Sequence, residues 1–199
     1  MRADFPIILD ANVLAESAVS DLYLRLSEEP RLLLPRWTKD IWEETHRTLV
    51  DKLGWPPETA ESRIRAAQET FPEAMVTDYE SFIDRCENDP KDRHILAAAI
   101  RSKTETIVTM NVRHFKPEHL ESWGVTAAHP GEYLRVLYDL DEGVVVSVLH
   151  QMAEKRSYGL DRMLSRLSVS IPTFTEHVAK DLAVEVPPYQ PARNIQMAP

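Results

Sequence analysis

The chain has 199 residues, 43% of them hydrophobic and 28% charged, which is an ordinary composition for a globular protein. No apolar run is long enough to span a bilayer, and the opening apolar stretch contains an Asp and predicts no signal peptide. The single cysteine, Cys86, excludes an internal disulfide and a cysteine-based zinc site. The net charge of −9 makes the chain a poor general binder of nucleic acid unless bound cations change the local charge, because neutralisation of phosphate drives such binding.

The first part of the chain predicts alternating strands and helices. Continuous apolar runs predict strands covered on both faces, and apolar residues at helical spacing predict amphipathic helices. In chain order the predicted elements are a strand at 5–9, a helix at 15–26, a strand at 31–35 ended by Pro35, a helix at 39–52 between a cap at Thr38 and Gly54, a helix at 58–70 and a short strand at 74–77.

A helix start is the clearest feature of the middle of the chain. The segment Asp89-Pro90-Lys91-Asp92 combines Asp89 as an N-cap with a proline at the first helical position, and the predicted helix continues to residue 102. Strands at 105–110 and 124–128 and a helix from 130 to about 138 follow. This alternation of strands and helices predicts a layered α/β fold around a parallel sheet.

The pattern changes at about residues 139–143, beyond which only helices are predicted, at 144–155, 160–167 and 172–183. We therefore predict a domain at 1–141, a helical extension at 142–186 and a proline-rich, flexible tail at 187–199. Residues 142–199 carry equal numbers of basic and acidic side chains, so the negative excess lies in the predicted domain.

Asp10 lies where the first predicted strand meets its loop. Ligands of open α/β sheets bind beyond the carboxyl ends of the strands, so this carboxylate is a candidate metal ligand or nucleophile. The alternative is an Asp that caps the following helix. For Asn12, two residues further on, a structural role is favoured, either as a helix cap or as a hydrogen-bond partner of Asp10.

Two further acids are candidates because of their positions on predicted helices. Glu44 lies at the border of the apolar face of its helix, from which a carboxylate can reach a cleft at the sheet edge, whereas Glu43 points to solvent. Asp92 shares one side of its helix with Ile95, and the alanines at 97–99 let that helix pack closely on the sheet. The alternatives are a surface charge for Glu44 and a partner of the helix dipole for Asp92.

Polar side chains also follow the predicted strand at 105–110. Thr109, Asn111 and His114 lie at this second strand end, so we expect them to face the same edge as Asp10, with ordinary loop polarity as the alternative. Basic residues near these loops are candidates for guiding a phosphate backbone, although each is also an ordinary surface charge: Arg36, Lys39, Arg93, Arg113 and Lys116.

Three carboxylates that converge repel one another unless a cation neutralises them. Oxygen ligands without cysteine or clustered histidine favour a hard ion, Mg²⁺ or alternatively Mn²⁺. Such an ion binds a phosphate oxygen and activates a water molecule for in-line attack, and it reconciles an acidic chain with a phosphate substrate. The hypothesis is therefore a metal site formed by Asp10, Glu44 and Asp92.

At these positions the chain resembles the PIN-domain family, and VapC-type toxins in particular. The resemblance is carried, in order, by ILDANVL, WTKDIWEETHRTL, DPKDRHILAAAI and IVTMNVRHF, and it covers about residues 5–138. It implies a three-layer α/β/α fold and Mg²⁺-dependent cleavage of RNA, with Asp10, Glu44 and Asp92 matching the acidic ligands. The family usually has a further acid in the loop where this chain has Asn111 and His114. Three acids with Asn111 suffice for one Mg²⁺, whereas a second metal loses a ligand.

The resemblance also implies partners. It predicts the toxin of a type II toxin–antitoxin pair, with an RNA substrate, a cognate antitoxin protein and a homodimer, in the cytoplasm and not in a membrane. The helical segment 144–185 goes beyond the minimal domain and resembles the C-terminal extension of longer VapC-like proteins. An added surface for dimerisation or for the antitoxin is the hypothesis for this segment.

Two alternatives remain open. A PIN-like scaffold that has lost activity and only binds a partner is favoured by Asn111 and His114 and disfavoured by the three retained acids. A phosphatase of the haloacid-dehalogenase type also has a nucleophilic Asp after its first strand. That family normally has another Asp two residues later, where this chain has Asn12, and its Ser/Thr precedes the late acidic pair, whereas Thr109 follows Asp92.

Overall fold

The computed structural model describes residues 5–28 and 31–191. Within these ranges a parallel sheet has the order β2-β1-β3-β4, with the strands β1 Pro6–Leu9, β2 Leu34–Arg36, β3 Thr106–Val108 and β4 Thr126–Ala128. Ile7 and Ile8 are both fully buried, although successive side chains of a strand point to opposite faces of the sheet. Both faces are therefore covered, and the predicted α/β fold with a parallel sheet is confirmed.

Helices connect the strands and then continue alone to the end of the described chain. They are α1 Ala11–Ala15, α2 Ser17–Arg25, α3 Lys39–Arg47, α4 Pro57–Thr70, α5 Glu80–Ile83, α6 Arg93–Ser102, α7 Pro117–Leu120, α8 Pro130–Leu140, α9 Glu142–Lys155, α10 Leu160–Leu167 and α11 Pro172–Asp181. A π-helical turn at Thr48–Lys52 continues α3, and 3₁₀ turns lie at Pro72–Ala74, Val112–His114 and Glu121–Trp123. Among the described helices, none has the length and apolar character needed to cross a membrane.

Local sequence features explain both ends of α3 with its π-helical turn. The Thr38 hydroxyl accepts a hydrogen bond from the Ile41 backbone N–H at 3.1 Å, and α3 with its π-helical turn spans 39–52 as predicted. Gly54 follows with a φ of 68°, a conformation that favours glycine. The helix predicted at 15–26 begins earlier, at Ala11, and it is interrupted at Glu16, whose extended backbone separates α1 from α2.

Two predicted strands are wrong in their bounds or their existence. The second strand contains Pro35 rather than ending there, because β2 is an edge strand and the missing N–H of proline costs no ladder hydrogen bond on the open side. The strand predicted at 74–77 is replaced by the 3₁₀ turn that begins at Pro72, after which Met75 makes an isolated bridge to Trp37.

Helix α6 packs directly on β1 and β3, and Ala97, Ala98 and Ala99 are fully buried, as predicted for a closely packed helix. Its predicted start is wrong. The helix begins at Arg93, and Asp89 instead forms a preceding turn in which its Oδ1 accepts a hydrogen bond from the Lys91 backbone N–H at 3.0 Å. Asp92 therefore occupies the N-cap position, but its side chain makes no capping hydrogen bond and is available for other contacts.

One hydrophobic core joins the sheet to the segment predicted as an extension. Ile8 of β1, Leu149 of α9 and Phe174 of α11 lie in the same buried cluster, α9 contacts α2, and α11 contacts α8. The boundary between 1–141 and 142–186 stays a prediction. Of the predicted tail, residues 187–191 form neither helix nor strand, and 192–199 lie outside the described residues.

Candidate functional site

The carboxylate of Asp10 lies at the junction of β1 and α1, beside the end of β3. It is 3% exposed, and its Oδ2 accepts hydrogen bonds from Thr109 Oγ1 and Asn12 Nδ2, each at 2.6 Å. Although Asp10 occupies the N-cap position of α1, its side chain makes no capping hydrogen bond. The carboxylate is therefore held at the sheet edge and does not serve as a helix cap.

A hydrogen-bond network around Asp10 joins the ends of the two central strands. The fully buried Thr109 hydroxyl also accepts hydrogen bonds from Asn12 Nδ2 at 3.2 Å and from the Asn111 backbone N–H at 3.0 Å. Asn12 Oδ1 in turn accepts from the Met110 backbone N–H at 3.0 Å. Asn12 thus makes the hydrogen bond to Asp10 that was one of its two predicted structural roles, and Thr109 contacts Asp10 from the end of the neighbouring strand.

The electrostatics of Asp10 link it to two distant acids. Burial raises the pKa of Asp10 to about 6, and the hydrogen bond from Thr109 offsets only part of this rise. The negative charges of Asp92 and Glu44 raise the pKa further. The charges of Asp92, just before α6, and of Glu44, on α3, therefore reach Asp10 at the carboxyl end of β1.

Glu44 on α3 is about one-third exposed and lies beside a buried histidine. Its Oε1 is 3.3 Å from His94 Nε2 and 3.9 Å from Arg47 Nη2. Glu43 is exposed and pairs with Lys39 at 3.1 Å, in agreement with the helical spacing that directed it to solvent.

His94 is a residue of this site that sequence reasoning missed. It lies on α6 two residues after Asp92, and its side chain is 11% exposed. Its pKa is raised overall: burial lowers it, but contact with Glu44 and the charges of Asp40 and Asp10 outweigh burial. The feature of the sequence that could have indicated His94 is a histidine at the start of an otherwise apolar, alanine-rich helix.

A second group of ligand-type side chains adjoins the first and shares Asp92. Potential ligand atoms of Asp89, Asp92 and His114 all lie within 4.8 Å of one another, and His114 Nδ1 is 2.7 Å from Asp92 Oδ2. Among the described residues, this is the group of three that is compact enough for one ion, and it includes neither Asp10 nor Glu44. From the sequence, Asp89 was predicted only as a helix cap, so this group was not predicted.

Asn111 begins the 3₁₀ turn that carries His114, and it is partly buried. Its backbone N–H donates to Thr109 Oγ1, which ties the turn to the network around Asp10. The catalytic role assigned to the Asn111 side chain stays a prediction.

The basic residues proposed as RNA contacts differ in how firmly neighbouring groups hold them. Arg36 donates to the Glu73 carbonyl oxygen at 2.9 Å, which ties it to the backbone beside β2. Lys39 and Lys116 are exposed and pair with nearby glutamates at 3.1 and 3.6 Å. Arg36 is thus the least available of these three for binding a phosphate.

Arg93 and Arg113 lie next to the second group in the sequence. Arg93 Nε donates to the Asn88 carbonyl oxygen at 3.4 Å, and Arg113 Nε donates to His114 Nε2 at 3.4 Å. Hydrogen bonds therefore hold both guanidinium groups against the segments that carry Asp92 and His114. Contact with RNA stays a prediction for all five basic residues.

The donor chemistry of the edge suits a divalent cation, although the ligand atoms of Asp10, Glu44 and Asp92 do not form a group within 4.8 Å of one another. Asp10 is buried with two other acids in electrostatic range, and no described side chain donates a hydrogen bond to its Oδ1. A cation among these carboxylates would remove their mutual repulsion, and carboxylate oxygens are the ligands that Mg²⁺ and Mn²⁺ prefer.

The fold is that of an α/β protein with a parallel sheet and an acidic carboxyl edge, which is consistent with a PIN-like fold. Over 108 residues the chain is 35% identical to a Mycobacterium tuberculosis protein named "Putative ribonuclease VapC50". The match covers 54% of this chain and 62% of that protein, so the chain spans less than two thirds of the relative. No family model and no solved structure matches the chain. The predicted resemblance to VapC-type PIN-domain proteins is confirmed over about half of the chain.

Proposed function

We propose that this protein is a Mg²⁺-dependent endoribonuclease and the toxin of a VapC-type toxin–antitoxin pair. One observation carries the proposal: the Asp10 carboxylate is buried at the end of β1, where Thr109 and Asn12 hold it and where the charges of Asp92 and Glu44, from two other elements, reach it. The name of the relative from Mycobacterium tuberculosis supports ribonuclease activity as the reaction.

In this proposal Asp10, Glu44 and Asp92 bind Mg²⁺ through their carboxylate oxygens, with Mn²⁺ as an alternative. When bound, such an ion polarises a phosphate oxygen and lowers the pKa of water. Thr109, at the end of the neighbouring strand, and Asn12, in α1, hold the Asp10 carboxylate, which limits the rearrangement needed for binding.

The remaining groups of the edge bind and orient the substrate. Asn111, which precedes the 3₁₀ turn after β3, has an uncharged amide, so it can hydrogen-bond to RNA without adding to the charge repulsion. Arg93 and Arg113 flank the edge and supply positive charge that a chain of net charge −9 needs to approach a phosphate backbone. An antitoxin partner, a homodimer and a cytoplasmic location belong to the same proposal.

The direct test is cleavage of a mixture of tRNA, rRNA and mRNA by the purified protein in Mg²⁺, with RNA ends mapped by sequencing. Asp10→Asn, Glu44→Gln and Asp92→Asn are each expected to lower the rate by more than about 100-fold, because changes outside the metal ligands already cost about 10–100-fold. Glu43→Gln is the matched control: it removes an exposed carboxylate from the same helix and should keep wild-type activity.

The alternatives give different results in the same experiment. A protein that binds Mg²⁺ but cleaves none of these RNAs contradicts the proposal and favours the inactive scaffold. A phosphoryl group trapped on Asp10 favours the phosphatase. Growth arrest on expression, relieved by Asp10→Asn, supports the toxin role specifically.

A further inference from the structure

A cleft with a volume of about 470 Å³ lies between α2, α4 and the end of α9. Basic side chains outnumber acidic ones along its walls, with Arg25, Arg63, Lys155 and Arg156 against Asp21 and Glu28. This local excess of positive charge occurs in a chain whose net charge is −9. Because Lys155 and Arg156 come from the segment predicted as an extension, that segment completes the cleft.

The acidic side chains of the cleft neutralise only part of its positive charge. The Asp21 carboxylate accepts hydrogen bonds from Arg25 Nε at 2.9 Å and from Arg156 Nη1 at 3.0 Å. One carboxylate therefore serves two guanidinium groups, each of which has five N–H donors. Lys155 is exposed, and it forms no ion pair with any residue that the structure describes. The cleft thus retains charge and donors for an anionic ligand.

An aromatic side chain accompanies the basic ones. Trp55 lines the cleft and is partly exposed, and the guanidinium carbon of Arg63 is 5.5 Å from the centre of its ring. Proteins that bind single-stranded RNA combine a basic groove with aromatic rings and arginine planes on which bases stack. This combination favours RNA over an acidic protein segment, because acidic side chains have no ring to stack.

The position of Arg63 connects the cleft to the acidic edge. Its Nη2 donates to the Leu14 carbonyl oxygen and its Nη1 donates to Ser17 Oγ, both at 3.1 Å. Leu14 lies four residues after Asp10, and α1 rises by about 1.5 Å per residue, so about 6 Å along the helix axis separate the two. An RNA strand at the acidic edge is therefore close enough to continue into the cleft.

We propose that this cleft binds single-stranded RNA and holds the substrate at a distance from the bond that is cleaved. Lys155 and the arginines contact phosphates, and Trp55 contacts a base. The inference rests on the proposed function in one respect, namely that the bound RNA is the substrate. It also gives the end of α9 a role in binding RNA.

The test measures RNA affinity without cleavage. The full chain with Asp10→Asn, in a chelator, is titrated into a labelled single-stranded RNA of about 15 nucleotides and followed by fluorescence anisotropy at several salt concentrations. In this background Lys155→Glu should weaken binding by about tenfold, and Lys155→Gln should lower the slope of log affinity against log salt by about 0.7, which corresponds to one phosphate contact. Lys155→Arg should retain the affinity, because it keeps the charge.

The matched control is Lys180→Glu, which makes the same change of charge at an exposed lysine of α11 outside the cleft. It should change the affinity by less than about twofold, because salt screens remote charges. Trp55→Leu should weaken binding by at least about fivefold, and Trp55→Phe should retain most of the affinity, since a phenyl ring still stacks. Thermal unfolding checks that each variant is folded.

Three results overturn the proposal: an unchanged RNA affinity in Lys155→Glu, an equal loss in Lys180→Glu, or a loss in Lys155→Glu of affinity for a poly-glutamate peptide but not for RNA. The last result identifies an acidic protein as the partner. Cleavage that depends on Asp10, together with an RNA affinity that does not depend on Lys155, overturns this inference and leaves the proposed function intact. RNA that is bound through Lys155 but never cleaved by the wild-type protein does the reverse.

Discussion

At the scale of single residues, Asp10 carries a conflict between stability and the proposed function. Its carboxylate is buried beside two other acids, which raises its pKa to about 6 from an ordinary value of 3.8. An acid whose pKa is higher in the folded state than in the unfolded state loses stability as it ionises. The cost is absent below about pH 4, grows between about pH 4 and 6, and is complete above pH 6 in the metal-free protein.

We therefore predict that Asp10→Asn stabilises the metal-free protein at pH 7. A rise of about two pKa units corresponds to about 3 kcal/mol, of which a gain of 1–3 kcal/mol should appear as a higher free energy of unfolding. The Asn oxygen can still accept hydrogen bonds from Thr109 and Asn12. Urea unfolding in a chelator from pH 4 to 8 measures the gain, and a difference between the two proteins that does not grow with pH contradicts it.

At the scale of elements, the site depends on how α3 and α6 are joined. Glu44 belongs to α3 and Asp92 immediately precedes α6, and the contact between Glu44 and His94 at 3.3 Å connects the two helices. The other basic side chain near Glu44, Arg47, is 3.9 Å away and largely exposed, so it holds the carboxylate less firmly. His94 therefore serves as a positioning residue for Glu44.

For this reason His94→Leu should weaken Mg²⁺ binding by about tenfold, since it removes the group that orients a proposed ligand. His94→Gln should recover much of the affinity, because a side-chain amide N–H can donate a hydrogen bond to Glu44. Isothermal titration with Mg²⁺ provides the measurement, with thermal unfolding to check that the variants fold. The control is His46→Leu, which removes a partly buried histidine from α3 and should not change the affinity. An equal loss of Mg²⁺ affinity in His94→Leu and His94→Gln would indicate that His94 has a packing role instead.

At the scale of the whole molecule, the predicted domain at 1–141 and the predicted extension at 142–186 share one hydrophobic core. Phe174 of α11 is fully buried in the same cluster as the strands of the sheet. The tryptophans of the chain report on the other part, since all four lie within 1–141: Trp37, Trp42, Trp55 and Trp123. If a substitution in the extension shifts the unfolding transition measured by tryptophan fluorescence, the two parts unfold together.

We predict that Phe174→Ala lowers the free energy of unfolding by about 3–5 kcal/mol in a single transition followed by tryptophan fluorescence. Val169→Ala, at a site that is 63% exposed in the same segment, should change it by no more than about 0.5 kcal/mol. If the fluorescence transition of Phe174→Ala coincides with that of the wild type, residues 1–141 unfold independently, and the predicted boundary marks a separate domain.

Local rules made much of this protein predictable from its sequence. Apolar runs and helical spacing indicated the parallel α/β fold, the strand end at Asp10, the inward side of the helix that carries Glu44 and most of the helices beyond residue 139. These features depend on residues that are neighbours along the chain or one helical turn apart, so the sequence contains all the information they need.

The tertiary structure alone decided the features that depend on distant contacts. Pro35 lies inside a strand because that strand is at the edge of the sheet, and α6 starts at Arg93 rather than at Asp89. The partners of the acids, His94 for Glu44 and His114 for Asp92, come from other segments of the chain. No local pattern encodes such pairs, because packing of separate elements against the sheet sets the distances between them.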